Sequence, residues 1–505
     1  MLLNALLRDI LGREAFETTY RAYAMQDIAA IENDSRKVDA NTLFIAASGY
    51  SDDVHPYIPD AYERGCRWFL VEETRQTEWQ SRFPDAVFIG IPQLQNNLGK
   101  IAARFYDYPS RKMTVCGITG TSGKSTTAFV TYQALRNMGF AAGLIGTIEY
   151  RILDESFPAP NTTPDALMIQ RFFAQMVNKR VEYVIMEVSS HALALGRLEG
   201  IDFDVMCFTN FSQDHLDFHG TMDNYFQTKL SSIDFLNRSI KPKKIFIYNE
   251  DMERSLDVLK HALQFPDIQL FSISTRAEKA DFLASSIELS STGSSFTVKN
   301  VPISIRMIGL TNVYNFTMAF AILSQWRIHL RAVALSFANI KVKGRVEPVV
   351  GENKVTAVID YAHKPDALEK VLQTLRETLA SGGKLICVFG AGGDRDKTKR
   401  PLMGAISGKL ADFTIITSDN PRTEDPRAIL ADIEKGIKPV TTKYKVETDR
   451  KKAIFQALDR AQSGDIVLIA GKGHEDYQII GKEKHHFSDR EVVEEWFASH
   501  GIAFH

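Results

Sequence analysis

A glycine-rich stretch, Gly117–Thr126, combines the residue types that bind nucleotide phosphates. It ends in Gly-Lys-Ser-Thr, follows the apolar run Met113–Ile118 and precedes a helical pattern that starts near Lys124. A turn of this kind between a strand and a helix directs backbone N–H groups and the positive end of the helix dipole at a phosphate. Lys124 would reach the β/γ-phosphates, and the Ser125 hydroxyl would be a ligand of Mg²⁺. Because Ile118 stands where the strict pattern has glycine, the sequence predicts a variant of the phosphate-binding loop and the binding of ATP.

Polar residues also end the next strand-like runs. Glu187 ends the run Val184–Met186, and a dense polar cluster, Asp214–His219, follows the run that ends at Phe208. The carboxyl ends of parallel strands meet at one edge of a sheet, where ligands bind. An acid there suits a second Mg²⁺ ligand, since the loop serine supplies only one oxygen. The segment Asn161–Pro164 opens a helix, and it is expected to cap that helix or to hold an anion.

A second group of charged strand ends lies in the last third of the chain. It comprises Asp360–His363, Gly390–Asp396, Ser418–Arg422 and Gly471–Glu475. Arginines at 395 and 422 suit a carboxylate, and acids at 419 and 475 suit an ammonium. A pocket with both signs predicts an amino acid as substrate.

Other polar residues are less informative by pattern alone. Ser35 and Arg36 fit an exposed turn. Lys229, in a helical pattern, fits a surface lysine, and Asn312 and Asn315 fit helix caps.

Alternation of strand-like and helical runs predicts an α/β protein of three domains. We expect an N-terminal α/β domain over residues 1–110, a central ATPase-like domain with a parallel sheet over 111–345, and a C-terminal Rossmann-like domain over 346–505. The chain of 505 residues is too long for one hydrophobic core, which agrees with several domains.

Composition excludes several classes of protein. Lys plus Arg number 60 and Asp plus Glu 62, so that the net charge of -2 gives no reason to expect a nucleic-acid or membrane partner. The four cysteines are scattered, which predicts buried thiols rather than disulfides or a zinc site. No apolar run approaches the ~18 residues that span a bilayer. A cytoplasmic monomeric enzyme is the expectation.

Together these blocks resemble the Mur ligases, the ATP-dependent amide-forming enzymes of peptidoglycan synthesis. The resemblance covers nearly the whole chain, and it is closest to members that join meso-diaminopimelate to UDP-MurNAc-L-Ala-D-Glu. It rests on Thr119–Ser125, Asn161–Pro164, Glu187–His191, Asp214–Asp217, Gly344–Arg345, Asp360–His363, Gly393–Asp396, Asp419–Arg422 and Gly471–Glu475. Leu195 departs from the family, which often has a substrate-binding glutamine there.

The resemblance implies a role for each matched residue. Catalysis would involve Lys124, Glu187, His215 and Lys229, with Lys229 carbamylated so that it joins Ser125, Glu187 and His215 as a metal ligand. ATP would contact Gly120, Thr121, Ser122, Gly123, Lys124, Ser125, Thr126, Asn315, Arg345 and Asp360. The UDP-MurNAc dipeptide would contact Ser35, Arg36, Thr162, Thr163, Ser189 and Arg197. Diaminopimelate would contact Arg395, Asp419, Asn420, Arg422, Gly471 and Glu475, the two arginines binding the carboxylate that lysine lacks.

The resemblance further implies a reaction and a biological role. The D-Glu γ-carboxylate would attack the ATP γ-phosphate, and the diaminopimelate amine would attack the resulting acyl phosphate, with ATP and Mg²⁺ as cofactors. Closure of the C-terminal domain would exclude water. The product would serve cell-wall biogenesis, and through it cell shape, cell division and the cell cycle.

Three alternatives stay open. The first is the same ligase reaction with L-lysine, which Arg422 argues against. The second is an enzyme like folylpolyglutamate synthase, which the Asp-Ser-Arg turn at 34–36 argues against. The third is a non-catalytic ATP-binding switch or scaffold, which would leave the charged C-terminal pocket unexplained.

Overall fold

The computed structural model describes residues 1–48 and 53–505, and the chain forms two compact units. The first unit comprises Met1–Ala128 and Gly139–Ser272, and the second comprises Phe129–Met138 and Ile273–His505. Both are α/β, as the sequence predicts. The three domain ranges expected from the sequence stay a prediction, because these two units are not the same division of the chain.

The first unit opens with a small parallel sheet. Strands alternate with helices because apolar runs of about five residues, buried along their length, are separated by polar helical segments. The elements are α1 (Leu3–Leu11), α2 (Arg13–Thr19), β1 (Ala30–Glu32), β2 (Thr42–Ala46), α3 (Ile58–Glu63), β3 (Trp68–Glu72), α4 (Gln76–Arg82), β4 (Val87–Ile91) and α5 (Leu94–Phe105). The sheet order is β1-β2-β3-β4, with one core cluster against α1 and α5 and another against α3 and α4.

A larger sheet follows in the same unit. Its elements are β5 (Thr114–Thr119), α6 (Lys124–Asn137), β6 (Ala142–Ile145), β7 (Tyr150–Ile152), β8 (Glu155–Phe157), α7 (Ala166–Asn178), β9 (Tyr183–Glu187), α8 (Ser190–Ala194), β10 (Val205–Phe208), α9 (Leu216–His219), α10 (Met222–Leu230), α11 (Ser232–Arg238), β11 (Lys244–Asn249), α12 (Ser255–Ala262) and β12 (Ile268–Ser274). The order is β12-β11-β10-β5-β9-β6-β7-β8, and β11, β10, β5, β9 and β6 run parallel. Helix α6 and strand β12 each cross the boundary between the units.

The register of the parallel strands brings three strand ends together. Thr119 of β5 pairs with Phe208 of β10, and Ile118 pairs with Glu187 of β9. The residues that follow β5, β9 and β10 therefore share one edge of the sheet, as the sequence predicts.

The second unit contains three antiparallel strands and a six-stranded sheet. Its elements are β13 (Phe282–Ser290), β14 (Gly293–Val298), β15 (Val301–Ile305), α13 (Leu310–Ser324), α14 (Leu330–Ser336), β16 (Glu347–Val350), β17 (Thr356–Asp360), α15 (Pro365–Glu377), β18 (Leu385–Phe389), α16 (Lys399–Leu410), β19 (Phe413–Thr417), α17 (Pro426–Ile437), β20 (Tyr444–Glu447), α18 (Arg450–Arg460), β21 (Ile466–Ala470), β22 (Tyr477–Ile480), β23 (Glu483–His486) and α19 (Asp489–Ser499). The sheet order is β16-β17-β21-β18-β19-β20, parallel except for the β16/β17 pair. Ala470 of β21 pairs with both Asp360 and Phe389, which aligns the polar strand ends of this sheet.

The state of the cysteines agrees with the sequence. All four cysteines are buried free thiols, and burial raises the pKa of the Cys387 thiol to about 12. In the part of the chain that the structure describes, no helix combines the length and apolarity needed to cross a membrane.

A buried ion pair joins the last helix to the strand ends of the second unit. The Arg450 guanidinium donates to both carboxylate oxygens of Asp489 at 2.7 Å, and neither side chain is exposed. Its remaining N–H groups donate to the carbonyl oxygens of Ser418 (3.3 Å) and Ala470 (3.1 Å), at the ends of β19 and β21. Arg450 therefore fixes two strand ends to α19.

Replacement of Asp489 tests this connection. Asp489→Asn leaves the buried guanidinium without a counter-charge, so we expect it to lower the free energy of unfolding by about 3–5 kcal/mol. The matched control is Glu495→Gln, which breaks the exposed Lys451–Glu495 pair between the same helices (2.6 Å) and should cost less than about 1 kcal/mol. Urea unfolding measures both values, and equal losses would contradict the role given to Arg450.

Candidate functional site

The glycine-rich turn begins where β5 ends. Gly120 and Gly123 have φ of 142° and 83°, which other residues rarely adopt. A Cβ atom on Gly120 would also overlap the Thr209 hydroxyl. Glycine is therefore required at Gly120 both by conformation and by space.

The end of β10 holds this turn in shape. The backbone N–H groups of Thr121 and Ser122 donate to the carbonyl and the side-chain oxygen of Asn210, at 2.9 and 2.8 Å. The Thr209 hydroxyl donates to the Ser122 carbonyl at 2.6 Å. The turn is thus held in shape by the residues that follow β10.

Lys124 folds back over the turn. Its ammonium donates to the carbonyl oxygens of Gly120 (2.9 Å) and Thr121 (3.0 Å). A positive charge over a turn of N–H groups at the N-terminus of α6 suits the phosphates of a nucleotide.

Glu187 gathers a cluster of oxygens beside Lys124. One carboxylate oxygen accepts from the Ser125 hydroxyl at 2.8 Å and from the Thr147 hydroxyl at 3.1 Å, and the other accepts from the Thr147 N–H at 2.7 Å. The Thr162 hydroxyl lies 3.0 Å from that of Thr147. The sequence did not single out Thr147, because it follows a short strand with no charged residue next to it.

These oxygens fit a magnesium ion that is bound partly by the protein and partly by its substrate. Mg²⁺ is usually bound by one or two carboxylates together with substrate phosphates, rather than by an all-protein cage. The described residues contain no group of three or more His, Cys, Asp or Glu side chains that could hold a metal. A cation at Glu187 and Ser125 would therefore share the oxygens of a bound phosphate.

Lys229 is not a surface lysine, so that interpretation of its pattern is wrong. It is 1% exposed, and its amine donates to the Gly120 carbonyl at 2.7 Å. Burial lowers the pKa of this amine far below its usual value, and the nearby Lys124 lowers it further. Lys229 lies in α10, whose apolar face is buried, and only tertiary structure brings it to the phosphate-binding turn.

His215 lies at the start of α9 in the left-handed region, with φ of 51°. Its Nε2 is 3.4 Å from an Asp214 carboxylate oxygen, and its ring lies 4.9 Å from that of His191. Burial lowers the pKa of the His191 imidazole.

A second polar cluster joins the ends of β9 and the segment before α7. The Thr163 hydroxyl donates to the Glu187 carbonyl at 2.8 Å and accepts from the Ser189 N–H at 3.1 Å. Arg197 donates to the Thr163 carbonyl at 2.9 Å. The cap of α7 is Asp165, whose side chain accepts from Met168 N–H, so the expectation that 161–164 caps this helix is wrong.

The Asp-Ser-Arg turn lies in the small sheet. The Ser35 hydroxyl donates to Asp60 at 2.6 Å. Arg36, whose side chain is 78% exposed, donates to Asp34 at 2.8 and 3.0 Å and holds the pKa of that carboxyl well below its usual value. Both residues therefore have their contacts within this turn and α3.

In the second unit, the three residues expected at the nucleotide are buried or half-buried. Asn312 and Asn315 lie inside α13 and are bonded to each other at 3.1 Å, so neither is a helix cap. Asp360 accepts from the N–H groups of Val346 and Ala362 at 2.8 Å, and burial raises its pKa. The Arg345 guanidinium lies 5.0 Å above the ring of Tyr361.

The polar strand ends of this unit form a charged cluster. Asn420 donates to a Glu475 carboxylate oxygen at 2.9 Å, and Asp419 is 5% exposed. A Cβ atom on Gly471 would lie 2.8 Å from an Asp419 oxygen, which explains glycine there. A fully buried lysine, Lys472, lies among these groups, and the sequence analysis gave it no role.

Two arginines flank Gly392 at the end of β18. A Cβ atom there would lie 2.9 Å from Nη1 of Arg422 and 3.7 Å from Cγ of Arg395. Arg422 also donates to the Gly393 carbonyl at 2.8 Å, and Arg395 is exposed. The strand ends of this unit therefore carry these two arginines in addition to the carboxylates of Asp419 and Glu475.

Comparison with known proteins agrees with this arrangement. Residues 118–323 match the Mur ligase middle domain, and residues 344–473 match the Mur ligase glutamate ligase domain. A relative from Caldanaerobacter subterraneus subsp. tengcongensis, named UDP-N-acetylmuramoyl-L-alanyl-D-glutamate--2,6-diaminopimelate ligase, is 40% identical over 94% of this chain and 95% of its own length. The chain belongs to the Mur ligase family.

Solved structures agree with this family assignment. A structure of UDP-N-acetylmuramoyl-L-alanyl-D-glutamate--2,6-diaminopimelate ligase matches this Mur ligase with a TM-score of 0.69 and 30% identity, over 95% of this chain and 96% of that one. Mycobacterium tuberculosis folylpolyglutamate synthase shares the fold at 17% identity and a TM-score of 0.60, over 75% of this chain and 92% of its own.

Replacement of Gly120 tests the phosphate-binding turn of this Mur ligase. Gly120→Ala would displace Thr209 and the turn, so we expect nucleotide affinity to fall about tenfold or more, as for the loss of a hydrogen bond to a charged phosphate. The matched control is Gly139→Ala, where φ is 88° but no atom lies within 4 Å of the new Cβ. It should cost about 1–2 kcal/mol of stability and leave nucleotide affinity unchanged. Titration with a fluorescent ATP analogue measures the nucleotide affinity of both variants. Equal affinities would contradict the steric argument.

Proposed function

We propose that this chain is an ATP-dependent ligase that joins meso-diaminopimelate to the D-glutamate of UDP-MurNAc-L-Ala-D-Glu. The observation that carries the proposal is the charged pocket at the strand ends of the second unit. Its acids, Asp419 and Glu475, suit an ammonium group, and its arginines, Arg395 and Arg422, suit a carboxylate. The names of relatives that match this chain over more than nine-tenths of its length support the same substrates.

The first step forms an acyl phosphate at the first unit. The γ-carboxylate of D-glutamate attacks the γ-phosphorus of ATP, and ADP leaves. The turn from Gly120 to Thr126 binds the phosphates through those of its N–H groups that do not donate to Asn210, and the Lys124 ammonium offsets the charge that develops on them. The acyl phosphate is needed because a free carboxylate is a poor electrophile.

Four residues are assigned to Mg²⁺ in this proposal. They are Ser125, Glu187, His215 and a carbamylated Lys229. When bound, Mg²⁺ neutralises charge on the phosphate oxygens. The Ser125 and Glu187 oxygens already lie 2.8 Å apart, which supports their assignment to one ion.

The second step forms the amide bond. The uncharged amine of diaminopimelate attacks the acyl carbon, phosphate leaves, and the amine gives up a proton. Arg395, Arg422, Asp419, Asn420, Gly471 and Glu475 hold the part of diaminopimelate that does not react. Arg422 selects diaminopimelate over lysine because its guanidinium binds the carboxylate that lysine lacks.

The remaining assignments follow the family resemblance. Asn315, Arg345 and Asp360 complete the nucleotide contacts, and Ser35, Arg36, Thr162, Thr163, Ser189 and Arg197 contact the UDP-MurNAc dipeptide. The domains are residues 1–110 for the UDP substrate, 111–345 for ATP and 346–505 for the amino acid. The enzyme acts as a cytoplasmic monomer in peptidoglycan synthesis.

Phosphate release with product analysis tests the function. Purified protein receives ATP, Mg²⁺ and UDP-MurNAc-L-Ala-D-Glu, with meso-diaminopimelate in one sample and L-lysine in another. We expect a tripeptide only in the first sample, and none from Lys124→Ala. A tripeptide mainly with lysine would keep the ligase reaction and refute the role of the arginines. If no phosphate is released in either sample, the proposal is refuted.

Arg422 gives a prediction about selectivity. Arg422→Ala removes charge-assisted hydrogen bonds worth about 1.5–3 kcal/mol, so the KM for meso-diaminopimelate should rise about 10- to 100-fold. The KM for ATP should stay within about twofold, because no ATP contact is removed. The matched control, Arg427→Ala, removes an exposed arginine of α17 and should change neither constant. Equal losses for both substrates would show that Arg422 has only a structural role.

Lys229 gives a prediction about modification. Carbamylation joins an uncharged amine to CO₂ with release of a proton, and the lowered pKa of Lys229 leaves its amine uncharged nearer to neutral pH. Protein equilibrated with ¹³C-bicarbonate should show a carbamate carbon by NMR, which disappears as the pH falls and the amine takes up a proton. Lys229→Gln should lack the signal. Lys241→Gln should keep it, since the Lys241 amine is ion-paired with Asp204 at 3.1 Å. A signal that survives Lys229→Gln would refute the assignment.

A further inference from the structure

Lys472 lies at the centre of the charged pocket. Its side chain is completely buried, and its ammonium donates to the Asn420 side-chain oxygen at 3.2 Å. It also lies 3.5 Å from a Glu475 carboxylate oxygen and 3.8 Å from an Asp419 carboxylate oxygen. Lys472 therefore touches three of the residues assigned to diaminopimelate.

The carboxylates around Lys472 are only partly satisfied by the protein. The Asp419 oxygen that faces the ammonium is buried and accepts no hydrogen bond from the described residues. Of the two Glu475 oxygens, one accepts from Asn420 at 2.9 Å and is the oxygen nearest to Lys472. Acceptor capacity therefore remains on these carboxylates, and a substrate ammonium that reaches the partly exposed Glu475 would supply a further donor.

The charge of this cluster matches one ammonium. Asp419 and Glu475 bring two negative charges, and Lys472 brings one positive charge, so one negative charge is left. The neighbouring Arg450 is already neutralised by Asp489, to which it is bonded at 2.7 Å. Without Lys472, two carboxylates would repel each other in a buried site, and one of them would be driven to take up a proton.

We propose that Lys472 is a positioning residue that neutralises one of the two pocket carboxylates, so that the pocket binds a single substrate ammonium. The inference rests on the proposed function and adds a residue to it. Lys472 acts on the substrate through Asp419 and Glu475. It follows that the net charge of the three side chains, more than any one of them, determines affinity for the non-reacting amino group.

Two substitutions that each remove one charge, the first made alone and then both together, test this inference. Glu475→Gln leaves Asp419 and Lys472 with no net charge, so the KM for meso-diaminopimelate should rise about tenfold or more, as for the loss of one charged hydrogen bond. Adding Lys472→Met restores one negative charge. The double variant should therefore have a KM about fivefold or more below that of Glu475→Gln, because the repulsion between Lys472 and the substrate ammonium is gone.

Controls separate this effect from a general repacking of the pocket. The control is Lys484→Met in the Glu475→Gln background. Lys484 lies on exposed β23, and its amine lies 4.3 Å from the centre of the Tyr477 ring. This substitution should not lower the KM. The KM for ATP should be alike in all variants.

The outcomes distinguish this inference from the function on which it rests. Absence of tripeptide from the wild-type protein would refute the proposed function. Tripeptide from the wild type, with a double variant no better than Glu475→Gln, would refute the role of Lys472. If the double variant unfolds, Asp419→Asn is compared with Asp419→Asn/Lys472→Met. The same recovery is expected there, and its absence would equally refute the inference.

Discussion

Parallel pairing of β5 with β9 and β10 is the constraint on which the first candidate site depends. Backbone hydrogen bonds fix the register, so the residues after Thr119, Glu187 and Phe208 come to one edge whatever their side chains are. The Glu187 carboxylate then accepts a hydrogen bond from Ser125, and the Asn210 side-chain oxygen accepts one from Ser122. The residues that support the site therefore lie in or shortly after the ends of strands.

In the second unit, parallel strand pairing likewise aligns the strand ends, but the residues there are charged. Ala470 pairs with both Asp360 and Phe389, so the strand ends after β17, β18 and β21 are aligned. Here the aligned residues carry charges that are buried, and buried charges are stable only when they are paired. Arg450 with Asp489, and Lys472 with its neighbours, supply these pairs. The stability of these strand ends therefore depends on the pairing of their buried charges.

Much of both sites could be predicted from the sequence, because strands, turns and the residues that end them are local features. The family and the α/β fold with parallel sheets are confirmed, whereas the roles of individual residues stay predictions. The local pattern could not place Lys229 or Lys472, since a lysine in a helix or after a strand looks the same whether it faces water or the interior. Only the family resemblance gave Lys229 a role. Thr147 was missed for a similar reason: a lone threonine gains meaning only from the Glu187 carboxylate beside it. The antiparallel strands β13 to β15 were not predicted either, because their alternating exposure leaves no continuous apolar run.

The four buried thiols have a practical consequence for following how this protein unfolds. Cys66 precedes β3 of the small sheet, Cys116 and Cys207 lie in β5 and β10, and Cys387 lies in β18. A thiol inside a sheet reacts with an alkylating reagent only after that sheet opens, since the thiolate is the reactive form and burial suppresses it. Each sheet that carries a candidate site, and the small N-terminal sheet, thus contains its own natural reporter. Alkylation followed by peptide mapping would rank the three sheets by the free energy at which each one opens.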